Sequence, residues 1–362
     1  MENPFTPTFG EIPPILAGRS IILNELSRAY GASRRRPCLT TAITGARGSG
    51  KTALMAAAAE EACRRGWVVA KTVALPGMLD DILITARRES AHLVAETSTP
   101  RLSAVEIGQF VGLEWENPER LSNWRNEITL LLEQLERCGT GLLITVDEVQ
   151  PTLPEMIQLA SVYQLLVTEG RKVAMLFAGL PHNMLSLERD KRVSFLRRSQ
   201  KMCLGRIADF EVREAMRKTV EEGGRQIEEE ALDLAVEAAG GFPYMMQLVG
   251  FRMWDARDSC DPITTDDALE GVRIASAELL EGIVKVTYGG LSAGDKAFLS
   301  RMAKMEAPTS SKIAKAMGKS ASYATQYKNR LLGQGVIEEG LDGVLRFQMP
   351  LLADYVAGLA QD

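Results

Sequence analysis

Gly45, Gly50, Lys51 and Thr52, within the string GARGSGKT, satisfy G-x-x-x-x-G-K-[ST], a spacing suited to gripping a polyphosphate. Glycines let the backbone curl until several N–H groups point inward at phosphate oxygens. A helix starting near Lys51 adds the positive end of its dipole. Lys51 supplies an ammonium for the β- and γ-phosphates, and the Thr52 hydroxyl is a ligand for Mg²⁺. Arg47, Gly48 and Ser49 lie inside the same loop and complete the candidate contacts. A glycine-rich turn with a solvated lysine is the competing reading. The apolar strand CLTTAI before the loop and the helix former TALMAAAAEEACRR after it argue for the phosphate site.

A second acidic signal completes the chemistry. GLLITVDEVQ is an apolar strand with Asp147 and Glu148 at its C-terminal tip, the edge where parallel α/β sheets bind ligands. Asp147 can hold Mg²⁺ through water, and Glu148 can polarise a water in line with the γ-phosphate. Alone, such a pair is usually a loop start. Downstream of a phosphate loop it reads as its partner, with ATP and Mg²⁺ as the implied cofactors.

The elements needed to position these groups emerge from the apolar pattern. After a Pro-rich lead-in, a helix ends at Gly31. Strands CLTTAITG, GWVVAKTVAL, GLLITVDE and KVAMLFAGLP alternate with helices, and a strand-like segment is expected around Val105 to Leu113. This alternation predicts a parallel sheet covered on both faces. From about Ile207 the strand signal stops and four helices are expected. Beyond about Gly289 come three helices and a short hairpin-like end. The expected division is an α/β nucleotide-binding core over 1–206, an all-α lid over 207–288 and a C-terminal winged helix-turn-helix over 289–362.

Composition narrows the class. The 362 residues carry 46% hydrophobic and 25% charged residues, which suits a globular protein with more than one domain. A net charge of −5 disfavours a chain that is basic overall. The five cysteines lack a CxxC pair and only two histidines occur, so zinc and a disulfide framework are poorly supported, and reduced buried thiols are expected. No signal peptide or membrane span is read, and a cytoplasmic location is the default expectation.

LAGR near the start, GARGSGKT, LLITVDE, an arginine pair before a late strand, GGFPYMMQ and the C-terminal pattern together resemble the AAA+ superfamily of P-loop ATPases, in particular its STAND-like and archaeal-type branch. The resemblance covers nearly the whole chain. It implies that Gly18 and Arg19 lie near the adenine. It implies that Arg197 or Arg198 serves as an arginine finger for a neighbouring subunit, hence a homo-oligomer or protein partner. It also implies that Gly241 and Pro243, in a GxP element, set the lid over the base. Two departures stand out. The strand VAMLFAGLP ends in Ala178 and Gly179, where many members carry a polar sensor residue, with His182 or Asn183 as poorly spaced substitutes. GGFPYMM also lacks the arginine that motor-type members place there. Both point to slow, switch-like hydrolysis.

Within the C-terminal segment, Lys312, Lys315, Lys319, Lys328 and Arg330 lie between Ala307 and Ile337 with no intervening acid. That asymmetry suits a helix contacting DNA phosphates, with Tyr323, Gln326 and Lys328 toward the groove. A protein-contact module with solvated lysines is the alternative. Glu338, Glu339 and Asp342 disfavour phosphate contact by the wing. Two functions remain open: an ATPase acting at DNA, and a nucleotide-gated switch with output by protein contact.

Overall fold

A computed structural model of the chain describes residues 1–8, 10–95, 118–257 and 262–359. The expected strand around 105–113 lies outside the described residues. Helix α1 (Ser20–Tyr30) precedes β1 (Thr40–Gly45), α2 (Lys51–Arg64), β2 (Val68–Val73), α3 (Met78–Ala95), α4 (Pro118–Arg137) and β3 (Leu142–Asp147). Then come α5 (Pro154–Thr168), β4 (Val173–Gly179), α6 (Pro181–Arg189), a 3₁₀ stretch Lys191–Arg198 and β5 (Gln200–Leu204). The five strands form one parallel sheet in the order β2-β3-β4-β1-β5. The sheet order thus inserts β4 between the strand that enters the phosphate loop and the strand that ends in Asp147.

Both faces of this sheet are buried, which is why its strands read as unbroken apolar runs. Leu142, Ile144, Val146, Met175 and Phe177 pack toward α3, α4 and α5. Their neighbours Leu143, Ala174 and Leu176 face α1 and α2 through Leu26, Ala58 and Ala62. Alternate side chains of one strand therefore serve two cores.

Helices α7 (Asp209–Glu222), α8 (Glu229–Ala239), α9 (Pro243–Asp255) and α10 (Thr265–Leu279) come next. Helix α10 begins on a capping box between Thr264 and Asp267 and runs through a π-helical turn, Leu280–Val284, into α11 (Lys285–Gly289). Helices α12 (Ala293–Met302), α13 (Ser310–Met317) and α14 (Ala321–Gly333) lead to an antiparallel ribbon of β6 (Ile337–Glu339) and β7 (Leu345–Phe347). These elements fit a winged-helix arrangement. The expected hairpin-like ending is corrected by a further helix, α15 (Leu352–Gly358), whose Leu352 and Val356 are buried. One apolar core runs without a break from Val212 of α7 through Leu279 to Phe298, Leu331 and Val356, so α7–α10 and the C-terminal elements pack as a unit.

Four cysteines are described, all free; Cys38 alone is fully buried, while Cys63 and Cys203 are exposed, correcting the expectation of buried thiols. No helix of the described residues is long and apolar enough to cross a membrane.

Candidate nucleotide site

The phosphate loop connects β1 to α2. Gly50 caps α2 at φ +85° and Gly48 adopts φ +76°, left-handed conformations that favour glycine. A side chain at Gly48 would also lie 2.6 Å from the Phe242 ring. Lys51 is buried, its Nζ donating to Gly45 O at 3.1 Å and Ala46 O at 2.7 Å. Burial lowers its pKa below the usual lysine range, while Glu148 and Asp147 oppose the shift. A buried ammonium at the mouth of a helix N-terminus is poised for an anion. Ser49 Oγ is buried with no hydrogen-bond partner, a polar atom left for a ligand or water.

Thr52 Oγ1 donates to Asp147 Oδ2 at 2.6 Å, bringing the two sequence signals together. A hydroxyl and a carboxylate are hard oxygen donors, the set that holds Mg²⁺ when substrate phosphates supply other ligands. Among the described residues no cluster of three or more His, Cys, Asp or Glu could hold a metal by itself, so a cation here needs the phosphates. The residues present fit that requirement. Glu148 is exposed on the cavity wall and adopts φ +53°; apart from Leu351 it is the one described non-glycine residue at positive φ. Its N–H donates to Asp147 Oδ1 at 2.8 Å, fixing the acidic pair as one turn. Such a left-handed position for a charged residue is a strained placement of the kind found at functional sites.

These groups open on a cavity of about 510 Å³, large enough for a nucleotide. Arg47, Gly48, Ser49, Gly50, Lys51, Thr52 and Glu148 line it, together with Arg19 and Pro243. Arg19 Nη2 donates to Gly205 O at 3.4 Å, and burial pulls its pKa down against the pull of Glu211. Gly18 is left-handed, φ +67°, beside Glu211, and is not part of the cavity wall. Helix α9 meets the loop directly: Tyr244 N donates to Gly48 O at 3.3 Å. Gly241, φ +70°, lies so close to Ile207 O that a side chain would collide, and Pro243 then starts α9.

Arg197 and Arg198 lie away from this cavity. Both are exposed, and Arg197 Nε donates to Glu188 O at 2.9 Å. Of the two substitute sensor residues, Asn183 Nδ2 donates to Val149 O at 2.9 Å, while His182 Nδ1 is 2.8 Å from Gly333 O. Neither lines the cavity.

Other cavity residues escaped sequence reasoning. Thr6, Pro7, Thr8, Gly10 and Glu11 reach it because the N-terminal segment is laced to α9: Thr6 N donates to Gln247 Oε1 at 3.0 Å and Asn3 Nδ2 to Phe251 O at 3.0 Å. Gly282, Ile283, Val286 and Thr287 complete the wall. The sole hint of the N-terminal contribution is the Pro-rich composition of the lead-in. The C-terminal segment meets the loop from behind, since a side chain at Gly335 would lie 2.8 Å from Ala46 Cα. Arg206 Nη2 also donates to Phe347 O at 2.9 Å.

Fold and site together define a P-loop ATPase of the AAA+ type. Residues 15–175 match the AAA ATPase domain model, and residues 281–356 match a domain of unknown function (DUF8462). Among curated proteins no match is found. Solved structures with the same fold include the ORC2 protein of Aeropyrum pernix in ADPNP–ADP complexes, with 16% identity, TM-score 0.65 and coverage of 98% of this chain and 96% of that one. A Walker-type ATPase of Pyrococcus abyssi aligns at 13% identity, TM-score 0.66, with coverage of 94% and 96%. Cdc6p of Pyrobaculum aerophilum aligns at 17% identity, TM-score 0.50, with coverage of 98% and 97%.

Proposed function

We propose that this chain binds ATP with Mg²⁺ in the cavity between the sheet and α9, and hydrolyses it. The observation that carries the reading is the Thr52–Asp147 hydrogen bond of 2.6 Å beside a cavity that Lys51 and Glu148 line. Lys51 would leave the Gly45 and Ala46 carbonyls for phosphate oxygens, exchanging neutral partners for charged ones. Gly48 and Gly50 present loop amides to the same oxygens. Thr52 and Asp147 would hold Mg²⁺, which when bound supplies charge neutralisation to the phosphates. Glu148, fixed at its turn, orients and deprotonates the attacking water. Arg197 and Arg198, exposed and away from their own site, are free to serve a neighbouring subunit's site.

ADPNP and ADP bound to the Aeropyrum pernix ORC2 protein support the nucleotide part of the reading. Action at DNA is proposed through α13 and α14. Lys328 is already paired with Glu339 at 2.9 Å and Arg330 with Asp295, so the contact would fall chiefly on Lys315 and Lys319, with Lys312 bonded to Ala307 O at 2.9 Å.

A second reading, a slow nucleotide-gated switch with output by protein contact, draws on Gly335 packed against Ala46 of the phosphate loop and on the apolar tip of β4. Steady-state phosphate release, with and without duplex DNA, tests the choice. Glu148→Gln is expected to retain ATP and to lose turnover by about 10²–10⁴-fold. Turnover that does not depend on Glu148 overturns the hydrolytic assignment; tight nucleotide retention with negligible wild-type turnover selects the switch.

A further inference from the structure

The cavity wall divides by chemistry. The phosphate loop and Glu148 contribute its charges and backbone amides, whereas Ile15, Leu16, Ile283 and Val286 contribute apolar surface. A triphosphate takes the first set, which leaves the second for a nucleoside base. Ile283 belongs to the π-helical turn Leu280–Val284, which interrupts a helix otherwise continuous from Thr265 to Gly289. Such turns are rare and concentrate at functional sites, because the extra residue re-aims the side chains beyond it. Val286 is the side chain re-aimed in this helix; it is 59% exposed and lines the cavity. Gly282, in the same turn, also lines the cavity and has no atom within 4 Å of where its Cβ would stand.

We propose that the π turn and the start of α11, Gly282 to Thr287, form the wall that grips the nucleoside base, opposite Ile15 and Leu16. Gly282 leaves room for the ring and Val286 covers it, which explains an exposed valine on this helix. The next residue, Tyr288, meets Tyr355 of α15 edge-on at 5.5 Å, so the base wall is continuous with the C-terminal packing. The assignment rests on the nucleotide reading of the cavity.

Binding of ATP and of inorganic tripolyphosphate by wild type, Gly282→Phe and Val286→Ser separates the base wall from the phosphate site. Gly282→Phe fills the vacant space, and Val286→Ser removes apolar cover from a solvent-facing position that the fold does not need; both are neutral. Each variant is expected to bind ATP at least about tenfold more weakly, the scale of small changes in an apolar pocket, and to bind tripolyphosphate as wild type does. Should Gly282→Phe fail to fold, as judged by its thermal transition, Val286→Ser carries the same comparison. ATP affinity unchanged in a folded variant, or both ligands weakened equally, overturns the base wall and leaves the phosphate site standing. Wild type that binds neither ligand overturns the nucleotide reading and this wall with it.

Discussion

Thr52 Oγ1 and Asp147 Oδ2 lie 2.6 Å apart across 95 positions of sequence. The first residue opens α2 directly after the phosphate loop; the second ends β3, with β4 between their two strands. Only a parallel sheet with this strand order sets both chain ends on one edge, so the contact captures why the core is folded as it is. The pair holds hard oxygen donors where a cation would meet a nucleotide.

Removing either member should therefore uncouple nucleotide affinity from Mg²⁺. Thr52→Ala and Asp147→Asn are each expected to weaken Mg²⁺-dependent ATP binding by about 10–100-fold, the range for loss of an orienting partner at a metal site. Binding in excess chelator should change little. Titration calorimetry with and without Mg²⁺ reads both numbers, and equal losses in the two conditions would argue against a cation role.

Gly48 carries two constraints at once, a φ of +76° and the Phe242 ring 2.6 Å from a would-be Cβ. Gly48→Ala is expected to destabilise the fold by about 1–3 kcal/mol, the cost of a strained backbone position, and to disturb the Tyr244–Gly48 contact with α9. Gly31→Ala supplies the control: nothing lies within 4 Å of its Cβ position and its φ is −91°, so it is expected to be neutral or to stabilise by about 0.4–1 kcal/mol. Urea unfolding of the two variants checks the contrast.

Lys51 predicts a pH dependence of a definite sign. Burial depresses its pKa, so between that value and the ordinary lysine value the unfolded chain binds more protons than the folded one. Stability contributed by this group therefore rises as pH climbs through that alkaline window, and the burial penalty is fully present below it. Lys51→Met should flatten this component. Denaturation midpoints of wild type and variant over an alkaline series test it; parallel curves would refute it.

Arg330 reads from the sequence as a phosphate contact, yet its guanidinium meets Asp295, whose side chain is 2% exposed, with Nε at 2.8 Å. Arg330→Ala leaves that buried carboxylate short of a partner, and a loss of about 1–2 kcal/mol is expected after allowing for the half-exposed arginine. Lys315→Ala, on an exposed face, should leave stability unchanged and, if DNA binds here, lower the slope of affinity against salt by about 1. Chemical denaturation and salt-dependent DNA titration separate the two roles.

The phosphate site is readable in advance because its chemistry needs particular residue types at consecutive positions, and Asp147 because a strand buried on both faces announces its own tip. The strand order is not, since no local pattern says that β4 pairs with β1 on one side and β3 on the other. Nor is the N-terminal wall, whose link from Thr6 to Gln247 spans 241 positions. The left-handed Glu148 and the π turn at Leu280–Val284 arise from tertiary packing rather than from residue preference. Lys328 and Arg330 look free in the sequence because their partners, Glu339 and Asp295, lie on other elements.

Isothermal titration of ATP into wild type and Lys51→Ala is the most direct measurement of whether residues 45–52 grip a triphosphate. Saturable one-site binding by wild type, reduced at least about a hundredfold by the substitution, is the expected result, given the strength of charge-assisted contacts to phosphate in a buried setting. Equal affinity in the two proteins, or no binding of ATP or ADP by wild type, would contradict the assignment of this loop as a nucleotide site.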